Sequence, residues 1–170
     1  MQAAFAKELE GLKPEEGVFV DQTTIYRGIR LHGRAISGER VCDKVPGKKK
    51  KEKENMVGAL CGGKIIAPYV FTDGNMNADL FEGWVRTCLV PVLVPGQTVF
   101  LDNAPWHKSQ EIIDLIEEAG CRVRFFPPYS PNLNPIEKIW GAMKKAIHAF
   151  CREIISFSEK INLTVQKYAA

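Results

Sequence analysis

Three acidic side chains stand out by type and setting: Asp21, Asp102 and Glu137. Asp21 closes the apolar run Val18-Phe19-Val20-Asp21, and Asp102 closes its near copy, Val99-Phe100-Leu101-Asp102. Two buried strands of this kind, paired side by side, lie ~4.8 Å apart and bring their terminal carboxylates together. Like charges so close must share a proton or bind a cation. Strand ends in α/β sheets are also where sites are commonly built. Taken singly, either Asp could equally be the first residue of a turn, a position that Asp favours.

Glu137 arrives by a different route. It follows Phe126-Pro127-Pro128-Tyr129-Ser130-Pro131-Asn132-Leu133-Asn134-Pro135-Ile136. Each proline fixes its own φ and restricts the residue before it, so this approach is stiff. Asn134 suits a helix N-cap, Pro135 the first helical position and Glu137 the third. Asn-x-x-Glu is equally the pattern of a capping box, which leaves Glu137 a structural role as well. Its position lies just off the apolar stripe of Ile136, Ile139, Trp140, Met143, Ile147 and Phe150, at the border of core and surface. Three carboxylates without a His or Cys cluster favour oxygen-ligated Mg²⁺ or Mn²⁺ over zinc.

The elements that must position these groups can be read along the chain. Residues 3–12 have helical character and end at Gly11 and Pro14; they read as the end of a longer element or as an ordinary N-terminal helix. Residues 18–21 form a short strand, and 27–34 alternate loosely like a second. Residues 48–53, with five lysines after Pro46-Gly47, belong to an exposed loop. Residues 56–61 and 64–71 flank Gly62-Gly63 as a hairpin. Asn77 caps a helix to about 88, with Leu80, Phe81, Trp84 and Val85 on one face. The apolar run 90–94 is broken by Pro91 and Pro95. A strand at 98–102, a helix from Ser109 to about 119 closed by Gly120, and a strand at 121–126 follow. A long helix runs from 134 to about 150, and the last twenty residues form a weaker helix.

Antiparallel strands first and alternating strands and helices afterwards predict an α/β fold: a ribonuclease H-like mixed sheet flanked by helices. The expected organisation is an N-terminal stub at 1–14, the end of a longer element, a main unit at 15–150 and a helical tail at 151–170. A chain of 170 residues suffices for one sizeable core. An apolar share of 45% and a charged share of 25% exclude a largely disordered chain. The net charge of +3 permits nucleic-acid binding without requiring it. Cys42, Cys61, Cys88, Cys121 and Cys151 form no C-x-x-C pair, and His32, His107 and His148 add no zinc spacing. Scattered cysteines read as thiols in a reducing cytoplasm. Nothing resembles a signal peptide or a run of ~20 apolar residues, so no membrane is expected.

Two longer motifs add to this reading. Leu101-Asp102-Asn103-Ala104-Pro105-Trp106-His107-Lys108-Ser109 and Pro128-Tyr129-Ser130-Pro131-Asn132-Leu133-Asn134-Pro135-Ile136-Glu137-Lys138-Ile139-Trp140 resemble the DDE endonuclease domain of mariner-superfamily insertion-sequence transposases. That family separates its second Asp from its Glu by about the thirty-four residues found here, positions 103–136. The resemblance extends back to Val18–Asp21 and forward to about His148. It implies that Asp21, Asp102 and Glu137 are the catalytic, metal-binding triad, that the main unit at 15–150 is catalytic and that the stub at 1–14 ends a recognition or linker region. It further implies two ions, Mg²⁺ with Mn²⁺ as a substitute, which activate a water and stabilise the leaving oxygen from ~3.5–4 Å apart. The implied activity is DNA strand cleavage and strand transfer during transposition. The implied partners are transposon ends and target DNA, a second copy of the chain on DNA, and a helix-turn-helix region that a separate chain would supply. The setting is cytoplasmic, on the nucleoid. The chain departs from the family at Gln22, where a Glu usually follows the first Asp.

Further residues have two readings each. Lys144, Lys145 and His148, on the flank of Glu137, suit DNA phosphates or a solvated helix C-terminus. The lysine run suits the DNA backbone or a plain loop. Trp106 and His107 are expected to shape the wall of the site, His107 as a structural group. Two other functions remain compatible with the sequence: a nuclease of the same fold that cuts without joining, and a silent DNA-binding or assembly remnant.

Overall fold

In the computed structural model the described residues are 2–26, 53–71, 76–128, 130–149 and 157–169. A five-stranded sheet runs in the order β3-β2-β1-β4-β5. Its strands are β1 (Gly17–Tyr26), β2 (Lys53–Cys61), β3 (Lys64–Phe71), β4 (Thr98–Leu101) and β5 (Arg122–Phe125). β2 pairs antiparallel with β1 and β3, whereas β1, β4 and β5 run parallel. This is the expected ribonuclease H-like mixed sheet. The expected hairpin is β2–β3, turned by Gly62 and Gly63 at φ 56° and 79°, the left-handed region that glycine enters without steric cost.

The helices divide between the two faces. Val18, Val20, Val57, Ala59, Val99 and Leu101 point to one face, where they meet Phe81, Trp84, Val85, Leu89, Ile112 and Ile116. Those residues come from α2 (Ala78–Trp84), the π-helical turn Val85–Leu89 that prolongs it, and α3 (Gln110–Glu118). Asn77 and Ser109 cap α2 and α3, their side chains accepting from the N–H of Leu80 and Ile112. Ile25, Met56, Leu60 and Ile65 point to the other face, onto α4 (Ile136–Ala149) and α5 (Phe157–Ala169). α4 buries Ile136, Trp140, Met143 and Ile147, the stripe read from the sequence. α5 buries Phe157, Ile161 and Val165 in the same cluster. α1 (Gln2–Glu10) inserts Phe5 against Phe100 and Phe126 at the third cluster.

β1 differs from the strand expected at 18–21. It runs on to Tyr26 because β2 continues to pair with it, from Phe19↔Leu60 as far as Tyr26↔Lys53. Buried Thr23 and Ile25 supply the alternation that a run broken by Gln22 and two threonines conceals. The strand expected at 27–34, the lysine run up to residue 52, and Cys42, His32 and Cys151 lie outside the described residues. Lys53 itself begins β2. Cys61, Cys88 and Cys121 are free thiols. Among the described residues no helix is long and apolar enough to cross a membrane.

Candidate active site

Strand register sets the first two carboxylates. β1 and β4 pair as Val18↔Val99 and Phe19↔Phe100, and Asp21 and Asp102 each follow two residues beyond that last pair, at equivalent positions of the two segments. Side chains alternate faces along a strand, so each Asp follows the Phe two residues before it. Phe19 and Phe100 stack with centroids 5.0 Å apart. They point away from the face covered by α2 and α3, so both carboxylates fall on the side of α4. β4 stops at Leu101 while β1 continues, which opens the sheet at this level.

The proline-rich segment completes the site. Asn134 is buried; its side-chain N–H₂ donates to the Val20 carbonyl at 3.4 Å, and its Oδ1 accepts from the Ile136 N–H at 3.3 Å. One amide therefore ties the start of α4 to β1, one residue before Asp21. Asn103 donates to the Phe126 carbonyl at 2.5 Å and ties the end of β4 to the end of β5. Ser130 donates to the Pro128 carbonyl at 3.1 Å and accepts from Gln2 of α1 at 2.8 Å. Sequence reasoning gave Asn134 only as a cap and passed over Asn103 and Ser130. Their positions beside Asp102 and within the proline run were the available signal.

These elements enclose a cavity of about 440 Å³ lined by Asp21, Asp102, Asn103, Phe126, Pro127, Pro128, Ser130, Asn134 and Glu137. The three acids named from the sequence thus share one cavity. Glu137 is exposed at the first turn of α4, and its carboxylate makes no hydrogen bond among the described residues. The capping box is therefore not formed; Asn134 caps alone.

Asp21 is pushed up to about 7. Burial is the main cause, and the charges of Glu137 and Asp102 add to it; the Gln22 backbone N–H and the Trp140 indole partly offset them. Asp102 lies below the usual carboxylate range. Burial raises it, but the His107 hydrogen bond, the Ala104 N–H and the His107 charge outweigh that. His107 Nδ1 is 2.5 Å from Asp102 Oδ1.

His107 is 1% exposed and packs on Phe81 at 4.1 Å, so it stands behind Asp102 and does not line the cavity. Trp106 does not line it either; it faces a neighbouring hollow of about 210 Å³ with Gln22, Thr23, Thr24 and Asn55. The expectation that this pair forms the wall of the site is corrected, because the turn Pro105–Lys108 folds back toward α2. Gln22 Nε2 approaches His107 Nε2 at 3.5 Å. Lys144 is half-buried and Lys145 exposed, and neither lines the cavity. His148 belongs to α4, but its side chain lies outside the described residues.

The donor set suits a hard divalent cation: three carboxylates, flanked by the side-chain oxygens of Asn103, Asn134 and Ser130. A carboxyl pushed up to about 7 by burial, with two acidic neighbours adding to the shift, is a group that a cation would relieve. Among the described residues no three His, Cys, Asp or Glu side chains form a compact metal cage. Ion binding in this cavity would have to draw the three carboxylates closer together.

A family model described as "DDE superfamily endonuclease" matches residues 16–160. The fold is similar to that of the Mos1 strand transfer complex, with a TM-score of 0.73 at 17% identity, covering 99% of this chain and 51% of that one. It is similar to the mariner Mos1 paired end complex with Mg, with a TM-score of 0.72 at 16% identity and coverage of 99% and 52%. The catalytic core domain of BIV integrase follows at 0.53 and 12%, with coverage of 89% and 81%. The chain spans about half the length of the Mos1 chains. No curated protein sequence matches.

Proposed function

Because the chain belongs to the DDE superfamily of endonucleases, we propose that it is the catalytic domain of a mariner-type transposase, cutting DNA and joining the freed ends to a target. One observation supports this above all. Carboxylates from β1, the end of β4 and the first turn of α4 border a single cavity, and the most buried of them is pushed toward neutrality chiefly by burial, with the charges of the other two adding to it.

In this reading Asp21, Asp102 and Glu137 would hold the divalent ions in the cavity they line. Bound there, Mg²⁺ or Mn²⁺ would supply Lewis-acid chemistry, lowering the pKa of an attacking hydroxyl and neutralising the leaving oxygen. The chain's own groups do the rest. His107 keeps Asp102 ionised and fixes its orientation. Asn134 keeps the first turn of α4, and so Glu137, at a set distance from β1. Pro127 and Pro128 of the stiff segment line one side of the cavity and would present a wall to the DNA backbone. Lys144, Lys145 and His148 would meet phosphates along α4, a contribution that screens with salt and ignores sequence.

The partners follow the same reading: transposon ends and target DNA, a second copy of the chain on DNA, and a helix-turn-helix region from this or another chain, acting in the cytoplasm on the nucleoid. The paired-end complexes of Mos1 to which the fold is similar support the DNA partner. The test incubates the purified protein with Mn²⁺, target plasmid, and DNA carrying the inverted repeats that flank its coding region. Joined products support the proposal. Fragments alone indicate a nuclease, and untouched DNA a silent remnant, the outcome to which Gln22 lends weight.

A further inference from the structure

Trp140 lies three residues after Glu137 on α4, so both project to the same side of the helix. Its ring is 1% exposed and reaches across the sheet. At one end, indole Nε1 donates to Asp21 Oδ2 at 3.0 Å. At the other, Cη2 lies over Gly58, where an added Cβ would come within 3.3 Å of it. Gly58 is the register partner of Asp21 in β2, and the β2–β3 pairing is irregular at this same position. The ring thus lies close over a glycine, where an added methyl would press on it, with its N–H aimed at the first carboxylate.

We propose that Trp140 is a positioning residue for metal binding: it holds the Asp21 carboxylate in a set orientation at the cavity that Asp102 and Glu137 also line. The proposal rests on the metal-dependent reading above. An indole N–H is a donor only and carries no charge. It therefore orients the carboxylate without neutralising it, whereas a Lys or Arg in its place would compete with the cation. Because Glu137 and Trp140 belong to one rigid helix, α4 delivers one ligand and aligns a second. Outer hydrogen bonds of this kind typically change metal affinity by ~10–100-fold.

The test measures Mn²⁺ affinity by electron paramagnetic resonance on the full chain, alongside the unfolding midpoint without metal. Benzothienylalanine at position 140 keeps the shape of the ring and removes the N–H. It is expected to bind Mn²⁺ at least ~10-fold more weakly with an unchanged midpoint. Trp140→Phe leaves space above Gly58, and adding Gly58→Ala refills it; the double variant should regain stability and keep the weak binding. Parental affinity in the benzothienylalanine protein, or in the double variant, would reduce Trp140 to a packing role and overturn the proposal. A parent protein that binds no Mn²⁺ overturns both this inference and the metal-dependent reading beneath it.

Discussion

Asp21→Asn offers the most informative perturbation, because it separates the cost of the site from its use. Without metal, Asp21 is pushed up to about 7 in the fold from the ordinary aspartate value of 3.8. Between those values the folded state binds the proton that the unfolded chain releases, so metal-free stability should fall as pH rises from about 4 to 7. At 1.36 kcal/mol per pKa unit the loss approaches roughly 4 kcal/mol, a large part of a typical domain stability. Asparagine removes the titration yet can still accept from the Trp140 indole. Urea unfolding in a metal chelator at pH 5 and pH 8 measures both proteins. The parent should be markedly weaker at pH 8, whereas the variant should change little from this group and exceed the parent there. Mn²⁺ at 100 times its Kd should then restore about 2.7 kcal/mol to the parent and little to the variant. Parallel pH profiles for the two proteins would refute the reasoning, since burial and acidic neighbours would then exert no net strain on Asp21.

Other expectations follow from the same geometry. Asp102→Ala and Glu137→Ala should each abolish DNA cleavage while leaving the far-ultraviolet circular dichroism spectrum intact; residual cutting near the parental rate would remove them from the chemistry. His107→Ala should cost roughly 2–3 kcal/mol in urea, since it empties a buried site and deletes a hydrogen bond to a carboxylate. Reversing the charge of Lys144 and Lys145 should weaken DNA binding and lower the log–log salt slope by about 2, as expected for two phosphate contacts at ~0.9 each. An unchanged slope would leave both lysines as solvated helix residues.

What the sequence made legible, and what it hid, have physical causes. The carboxylate pair could be read because Val18–Val20 and Val99–Leu101 are continuous apolar runs, which mark strands buried on both faces. α4 could be read because its stripe keeps helical period and its entry is fixed by proline and asparagine. β1 beyond Asp21 could not, because its pairing, Thr23↔Met56 and Ile25↔Glu54, is made with a strand about thirty positions away. The docking of α5 was equally hidden: it buries Lys160 and Thr164 as well as Ile161, which blurs its apolar face. The ties made by Asn103 and Asn134 to distant carbonyls are tertiary and have no local pattern. His107 was expected to be structural, but its contact with Asp102 depends on how the turn Pro105–Lys108 folds.

The most direct measurement is an anomalous difference map from crystals of this protein grown with Mn²⁺. The account predicts density in the cavity within coordination distance of Asp21 and Asp102, with Glu137 drawn toward it. Manganese bound elsewhere, or an empty cavity in a protein that still cuts DNA, would contradict it.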